Sequence, residues 1–220
     1  MLNVLSYIIL AYLLGSLPFG YIFSQMSGKD ILKIGWRKTS GSNVFKNIGK
    51  RQGVLTGVCD VGKGYLAVWG AQRLGFPLEI QIFSGIAAVT GHNWSCFLKF
   101  AGGRGVGTFL GAFLVLSPQI LGWALIPSIA LALIWNASIA TIIFFIVAIF
   151  LSIYFNQLET IGVFPILSLV PVFIKRLSPV KEIKRAKNKA ILIRNRLIFD
   201  NDQACLELRI KRLFKTKKWF

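Results

Sequence analysis

Three stretches of the chain place anion-binding groups inside apolar sequence. The first runs from Gly91-His92-Asn93 to Gly102-Gly103-Arg104-Gly105-Val106-Gly107-Thr108. Glycines and a cation ahead of a new helix let free backbone amides and a guanidinium converge on an anion. His92 is the chain's single histidine. It has no second ligand spaced for a metal, so it reads either as packing or as a group orienting this loop. The second stretch, residues 35–53, gathers Thr39, Ser40, Ser42, Asn43, Lys46, Lys50 and several glycines. Such a loop is either a cradle for a phosphate or a solvated basic turn. The third, Asp60-Val61-Gly62-Lys63-Gly64, sets opposite charges three residues apart in an apolar run. At that spacing they meet on one helix face, and at membrane depth they must pair or face a polar site. No Ser/His/Asp or Cys/His triad is discernible. Any catalysis must therefore come from holding charged groups in place and offsetting their charge.

The elements that carry these groups are membrane helices. Of the 220 residues 55% are hydrophobic and 15% charged, with a mean hydropathy of +0.63. A soluble domain so composed has too little polar surface to cover its core, whereas lipid supplies the missing apolar partner. Apolar runs cover about residues 2–26, 54–75 and 78–98. No lysine or arginine precedes the first run, unlike a cleaved secretory signal, so it reads as a retained helix. Its interior Gly15-Ser16-Leu17-Pro18-Phe19-Gly20 loosens that helix and frees backbone groups. From 105 to 174 a single charge, Glu159, interrupts the apolar sequence. Ser117-Pro118-Gln119, Trp135-Asn136 and Asn156-Gln157-Leu158-Glu159 predict breaks there, dividing the stretch into four pieces. The expected fold is therefore an all-α polytopic membrane protein of about seven transmembrane helices, some short, with five as the alternative count. Gly103, Gly107 and Gly111 recur at four-residue spacing, which suits close helix packing.

Charge gives the orientation. Lys and Arg number 26 against 8 Asp and Glu, a net +18. Seven basic residues fall in 27–53 and fifteen in 175–220, leaving only Lys63, Arg73, Lys99 and Arg104 elsewhere. Basic loops stay in the cytoplasm, so the N-terminus is expected outside, with loop 27–53, Lys99, Arg104 and the tail inside. The domain division that follows is a transmembrane unit at 1–175 and a basic amphipathic cytoplasmic tail at 176–220. The tail's alternation, as in Ile193-Arg194-Asn195-Arg196-Leu197-Ile198-Phe199, suits a helix lying on anionic lipid. Nothing in it resembles an RNA-binding module, so no nucleic-acid partner is expected. Cys59, Cys96 and Cys205 stand far apart without CxxC spacing and give no metal or disulfide framework.

The residues at this point resemble the bacterial acyl-phosphate:glycerol-3-phosphate acyltransferases of the PlsY type. Gly15-Ser16-Leu17-Pro18-Phe19-Gly20, Asn43-Val44-Phe45-Lys46, Gly49-Lys50 and Asp60-Val61-Gly62-Lys63-Gly64 follow that family's order, and the stretch from Gly91-His92 to Thr108 is the most specific match. The resemblance covers about residues 10–112. It implies a multi-pass enzyme of the bacterial inner membrane that needs no metal or organic cofactor. The implied reaction moves a fatty acyl group from acyl phosphate to the 1-hydroxyl of glycerol 3-phosphate, giving lysophosphatidate for phospholipid synthesis. The site residues it implies are Arg104, Ser42 and His92 as catalytic. Lys46, Asn43, Lys63, Lys99, Gly102, Gly103 and Gly105 are implied as phosphate-binding. The substrates and membrane lipids are the expected partners of a monomer. Lys46 stands where the family usually has arginine, Arg104 where it usually has lysine, and Trp36 where its loop has serine. The family's histidine near the end of the last helix has no counterpart. These departures leave an alternative, a weakly active or inactive relative that binds anionic lipid or regulates lipid synthesis.

Overall fold

The computed structural model describes residues 3–202, and those residues form helices joined by loops, without a strand among them. The expected all-α architecture is what is found; the residues of the tail at 203–220, Cys205 included, lie outside the described residues. The first apolar run forms two helices, α1 (Val4–Ser16) and α2 (Phe19–Gln25). Asn3 starts α1, its side chain accepting the Ser6 amide at 2.7 Å. Pro18 stops it, because proline brings no N–H to the helix ladder. Short α3 (Gly41–Asn47) lies in the basic loop, and α4 (Lys50–Arg73) follows. This helix starts four residues ahead of the expected apolar run, its first turn being polar. Next come α5 (Leu78–Asn93), α6 (Val106–Leu116), α7 (Pro118–Ile134), α8 (Ala137–Tyr154) and α9 (Val163–Arg176). A 3-10 turn at Cys96–Leu98 sits between α5 and α6, so α5 ends earlier than hydropathy alone implies. The tail adds α10 (Val180–Arg185) and α11 (Lys189–Phe199).

All three breaks expected between 105 and 174 are present. The Ser117 hydroxyl accepts the Ile120 amide ahead of Pro118, and the Asn136 side chain accepts the Ser138 amide at 2.7 Å. Both are N-caps, which satisfy helix amides that otherwise have no partner. The exterior carries large apolar side chains: Leu5 is 68% exposed, Val58 65%, Leu133 68% and Phe150 62%. A hydrocarbon surrounding makes such a surface favourable. Two stretches, Val4–Gln25 and Ala137–Tyr154, are long and apolar enough to cross a bilayer, whereas α6 and α7 are apolar but shorter.

The helices that hold the site touch through glycine. A Cβ on Gly15 would lie 2.1 Å from the Ala88 carbonyl oxygen, and one on Gly91 2.2 Å from that of Tyr12, so α1 and α5 cross backbone to backbone. Likewise α4 meets α6 where a Cβ on Gly64 would be 1.9 Å from the Thr108 oxygen, and one on Gly111 1.9 Å from that of Val61. Gly107 and Gly111 thus pack as the four-residue spacing predicts. Gly103 precedes α6 and packs elsewhere, against His92. Beside this contact, Phe109 stacks on Phe164 at 4.8 Å and tilts against Phe145 at 4.7 Å, locking α6 to α8 and α9. Gly64→Ala is expected to lower the thermal unfolding midpoint by about 2–10 °C, since overpacking costs about 1–3 kcal/mol. Gly62→Ala, whose Cβ would meet open space in the middle of α4, should keep that midpoint or raise it by about 1–4 °C.

Candidate active site

A cavity of about 830 Å³ opens where the basic loop, α4, the end of α5 and the start of α6 meet α8 and α9. Among the residues expected to act, Ser42, Lys46, His92, Arg104 and Gly105 line it together. Lys63, Lys99, Asn43, Gly102 and Gly103 do not. Each of these five has a visible place of its own.

Lys63 stands behind the cavity. Its Nζ lies 3.0 Å from Asp60 Oδ1 and donates to the Leu17 carbonyl oxygen at 3.0 Å. That carbonyl sits at the break Pro18 makes between α1 and α2, so the loosened opening motif supplies an acceptor for a buried ammonium. The pairing of Asp60 with Lys63 is the one their helical spacing predicts. The same Asp60 Oδ1 lies 3.3 Å from His92 Nδ1, and all three side chains are nearly fully buried. Asp60 and His92 reach the cavity wall. Asp60 therefore ties α4 to α5 and fixes which imidazole nitrogen faces it.

Gly103 explains the other edge of that imidazole. A Cβ there would sit 2.0 Å from His92 Nε2, so only glycine fits against this nitrogen. The Gly103 amide donates to the His92 carbonyl oxygen at 3.0 Å. Gly102 packs on the backbone of His92 and Asn93, where a Cβ would come within 2.4 Å of either carbonyl oxygen. Its own oxygen accepts the Thr39 amide, which joins this turn to the basic loop. Gly105 has φ +75°, a conformation that favours glycine, and directs the chain into α6. Lys99 is exposed on the turn after the 3-10 segment, outside the cavity wall.

Asn43 is fully buried, with its amide turned to the loop backbone. Its Nδ2 donates to the Lys38 oxygen at 2.8 Å and its Oδ1 accepts the Trp36 amide at 3.1 Å and Asn47 Nδ2 at 2.9 Å. It braces the loop that presents Ser40 and Ser42, whose hydroxyls stand 3.5 Å apart on the cavity wall. The loop is thus wound so that either hydroxyl shares a cavity with Arg104.

Trp36 is where the two principal cations gather. Lys46 Nζ lies 5.3 Å from the centre of its ring and Arg104 Cζ 4.7 Å from it, both within cation–π range. Arg104 also forms an ion pair with Asp200, whose other oxygen is 3.0 Å from Lys38 Nζ. Burial pulls the Lys38 pKa down from its ordinary value, against the opposing attraction of Asp200. Arg176, at the end of α9, completes that wall and donates to the Ser138 oxygen at 3.0 Å. Asp60, Trp36, Arg176 and Asp200 are thus site residues absent from the sequence-based set. Asp60 carried a signal, an acid at membrane depth. Arg176 and Asp200 carried none, lying in a charged tail among many like residues.

Within the tail, Arg196, which is 3% exposed, holds the turns together. Its guanidinium donates to the carbonyl oxygens of Leu177 and Pro179, to Asp202 at 2.7 Å and to Glu182 at 2.5 Å. Glu182 also pairs with Arg37 of the basic loop. Burial alone would raise the Glu182 pKa, but the hydrogen bonds from Arg37 and Arg196 outweigh it and hold the carboxyl below its ordinary value. The arrangement can bind oxyanions beside a histidine held by a carboxylate.

Comparison with known proteins agrees. The family described as glycerol-3-phosphate acyltransferase matches residues 5–188. Glycerol-3-phosphate acyltransferase 5 of Dehalococcoides mccartyi is 34% identical over 202 residues, covering 88% of this chain and 87% of that one. Glycerol-3-phosphate acyltransferase 2 of Moorella thermoacetica is 38% identical over 152 residues, covering 68% and 78%. Among solved structures, PlsY (YgiH), an integral membrane glycerol 3-phosphate acyltransferase, superposes in its glycerol 3-phosphate form with a TM-score of 0.71. That match has 26% identity over 83% of this chain and 92% of the other. Its lysophosphatidic acid form gives 0.69 with the same coverage.

Proposed function

Because this chain belongs to the glycerol-3-phosphate acyltransferase family, we propose that its cavity joins the acyl group of an acyl phosphate to the 1-hydroxyl of glycerol 3-phosphate. The observation that carries this reading is the shared wall of Arg104, Lys46, Ser42 and His92. Two cations gathered on one indole suit a doubly charged phosphate, and a bidentate guanidinium suits its geometry. The 1-hydroxyl oxygen attacks the acyl carbon, the bond from that carbon to the phosphate oxygen breaks, and inorganic phosphate leaves with the electron pair. The hydroxyl proton passes to His92 Nε2, while Asp60 steadies the imidazolium so formed. Ser42 donates to a phosphate oxygen. Gly105 opens α6 at the cavity wall, where the helix's first amides lack intrahelical partners, and Gly102 and Gly103 keep the turn packed against His92. Asn43 supports phosphate binding by bracing the loop, Lys63 by balancing Asp60, and Lys99 by drawing anionic substrate to the cavity mouth.

The membrane reading follows the same course. Seven helical rods, α1/α2 as one and α4 to α9 as six, cross or enter the inner membrane of a bacterial cell. The N-terminus is outside, and the basic loop and tail meet the cytoplasm, where glycerol 3-phosphate is available. The transmembrane unit at 1–175 carries the chemistry as a monomer, and Arg176 and Asp200 of the tail at 176–220 close one wall. The apolar exterior beside α8 offers the acyl chain a path from lipid. The test is lysophosphatidate formation by the purified full-length chain in nanodiscs. Palmitoyl phosphate should support transfer to labelled glycerol 3-phosphate, and palmitoyl-CoA should not. Product from the thioester alone would sink the assignment of donor, and no product from either would sink the reading altogether.

A further inference from the structure

Arg104 is held from two directions. Its guanidinium carbon lies over the Trp36 ring, and its buried Nε forms an ion pair with Asp200, by proximity rather than with the alignment of a hydrogen bond. Among the described residues its two terminal nitrogens donate no hydrogen bond to the protein, although the side chain is only 17% exposed and lines the cavity. Asp200 is itself fixed. It ends α11 at φ +49°, its amide donates to the Arg196 carbonyl oxygen at 3.0 Å, and its side chain is 3% exposed. Arg196, one turn before Asp200, is pinned by two carbonyls and two carboxylates of the same tail, which fixes the end of α11 against the turn at 177–179. Lys38 on the other oxygen of Asp200 keeps that carboxylate from carrying a net negative charge into the cavity.

We propose that Asp200 is a positioning residue, holding Arg104 by Nε so that both terminal nitrogens face the cavity as a ready bidentate seat for the phosphate of a substrate. The proposal rests on the reading of Arg104 as a phosphate ligand. A free arginine loses rotamer freedom when it binds, whereas one already fixed by an ion pair and an aromatic face loses little. Asp200 thus acts on affinity through Arg104 and touches neither substrate. In this way the tail contributes to the site from 96 residues beyond Arg104.

The test uses the full-length protein in nanodiscs, with KM and kcat for glycerol 3-phosphate and for palmitoyl phosphate measured separately. Asp200→Ala should raise KM for one of the two phosphate substrates about tenfold, with kcat within about threefold. Asp200→Glu should recover most of that loss. Because Asp200→Ala also strands Lys38, the pair Asp200→Ala/Lys38→Met removes both charges. Its KM should stay raised, and a return to the wild-type value would overturn the proposal. So would a lower KM in Asp200→Ala, which would mark the carboxylate as a competitor for the seat. Arg104→Ala/Asp200→Ala should be no worse than Arg104→Ala alone, since both remove one interaction; additive losses would overturn it. The two readings fail differently. If Arg104→Ala leaves both KM values and kcat unchanged, the phosphate-ligand reading fails. If Arg104→Ala is impaired and Asp200→Ala is not, only the positioning role does.

Discussion

Arg104→Ala is expected to lower kcat/KM by about 10²–10³, the cost of removing a preorganised donor from a developing oxyanion. The loss is large because the neighbouring cations are engaged elsewhere: Arg176 donates to the Leu197 and Ser138 carbonyl oxygens. Lys38 is committed to Asp200, and Lys46 is a point charge on a flexible stem at the edge of the same indole. Arg104→Lys should fall between, losing about tenfold, since an ammonium keeps the charge but gives up the fork and the flat face on Trp36. Steady-state rates on purified protein in nanodiscs decide this. A drop of less than tenfold in Arg104→Ala would leave the cavity without its principal anion ligand. Folding should be little altered, because Asp200 retains Lys38 as partner when the guanidinium is gone.

How much of this was legible in the sequence depends on the range of each interaction. Helix starts and breaks at Pro18, Ser117-Pro118 and Trp135-Asn136 were readable, since a cap or a proline acts on amides within four residues. The Asp60–Lys63 pair was readable for the same reason, being one helical turn apart. That His92 joins them was not, because it arrives on α5, placed by the glycine contacts that α5 makes with α1. Asn43 shows a second limit. Its amide has the chemistry of a substrate ligand, but equally that of a loop brace, and only its burial among backbone groups separates the two. Trp36 looked like the loss of a serine, whereas the structure makes it the plane on which Lys46 and Arg104 meet. Asp200 was the least legible, one acid in a strongly basic tail whose charge already had a sufficient explanation in the membrane surface.

Asp60→Asn is expected to cost about 3–5 kcal/mol of stability, because it leaves the Lys63 ammonium buried without its counter-charge. The hydrogen bond from Lys63 to the Leu17 oxygen persists in that variant but does not neutralise the charge. Unfolding in detergent measures the loss. Activity should fall as well, by about 10²–10⁴, if His92 takes the proton with Asp60 as its orienting partner. The two effects can be separated by adding Lys63→Met, which removes the stranded charge along with its cause. The double variant should regain most of the stability, short of about 1 kcal/mol for the hydrogen bond lost at Leu17. Its activity should stay low, because His92 Nδ1 still faces an amide where a carboxylate stood 3.3 Å away. An imidazolium forming there would have no adjacent negative charge to steady it. If the double variant instead turns over at the wild-type rate, Asp60 and Lys63 are a pair that only holds α4 to the opening motif. Proton removal would then fall to the departing phosphate, which is itself a base at neutral pH and on the proposed reading leaves from the same cavity.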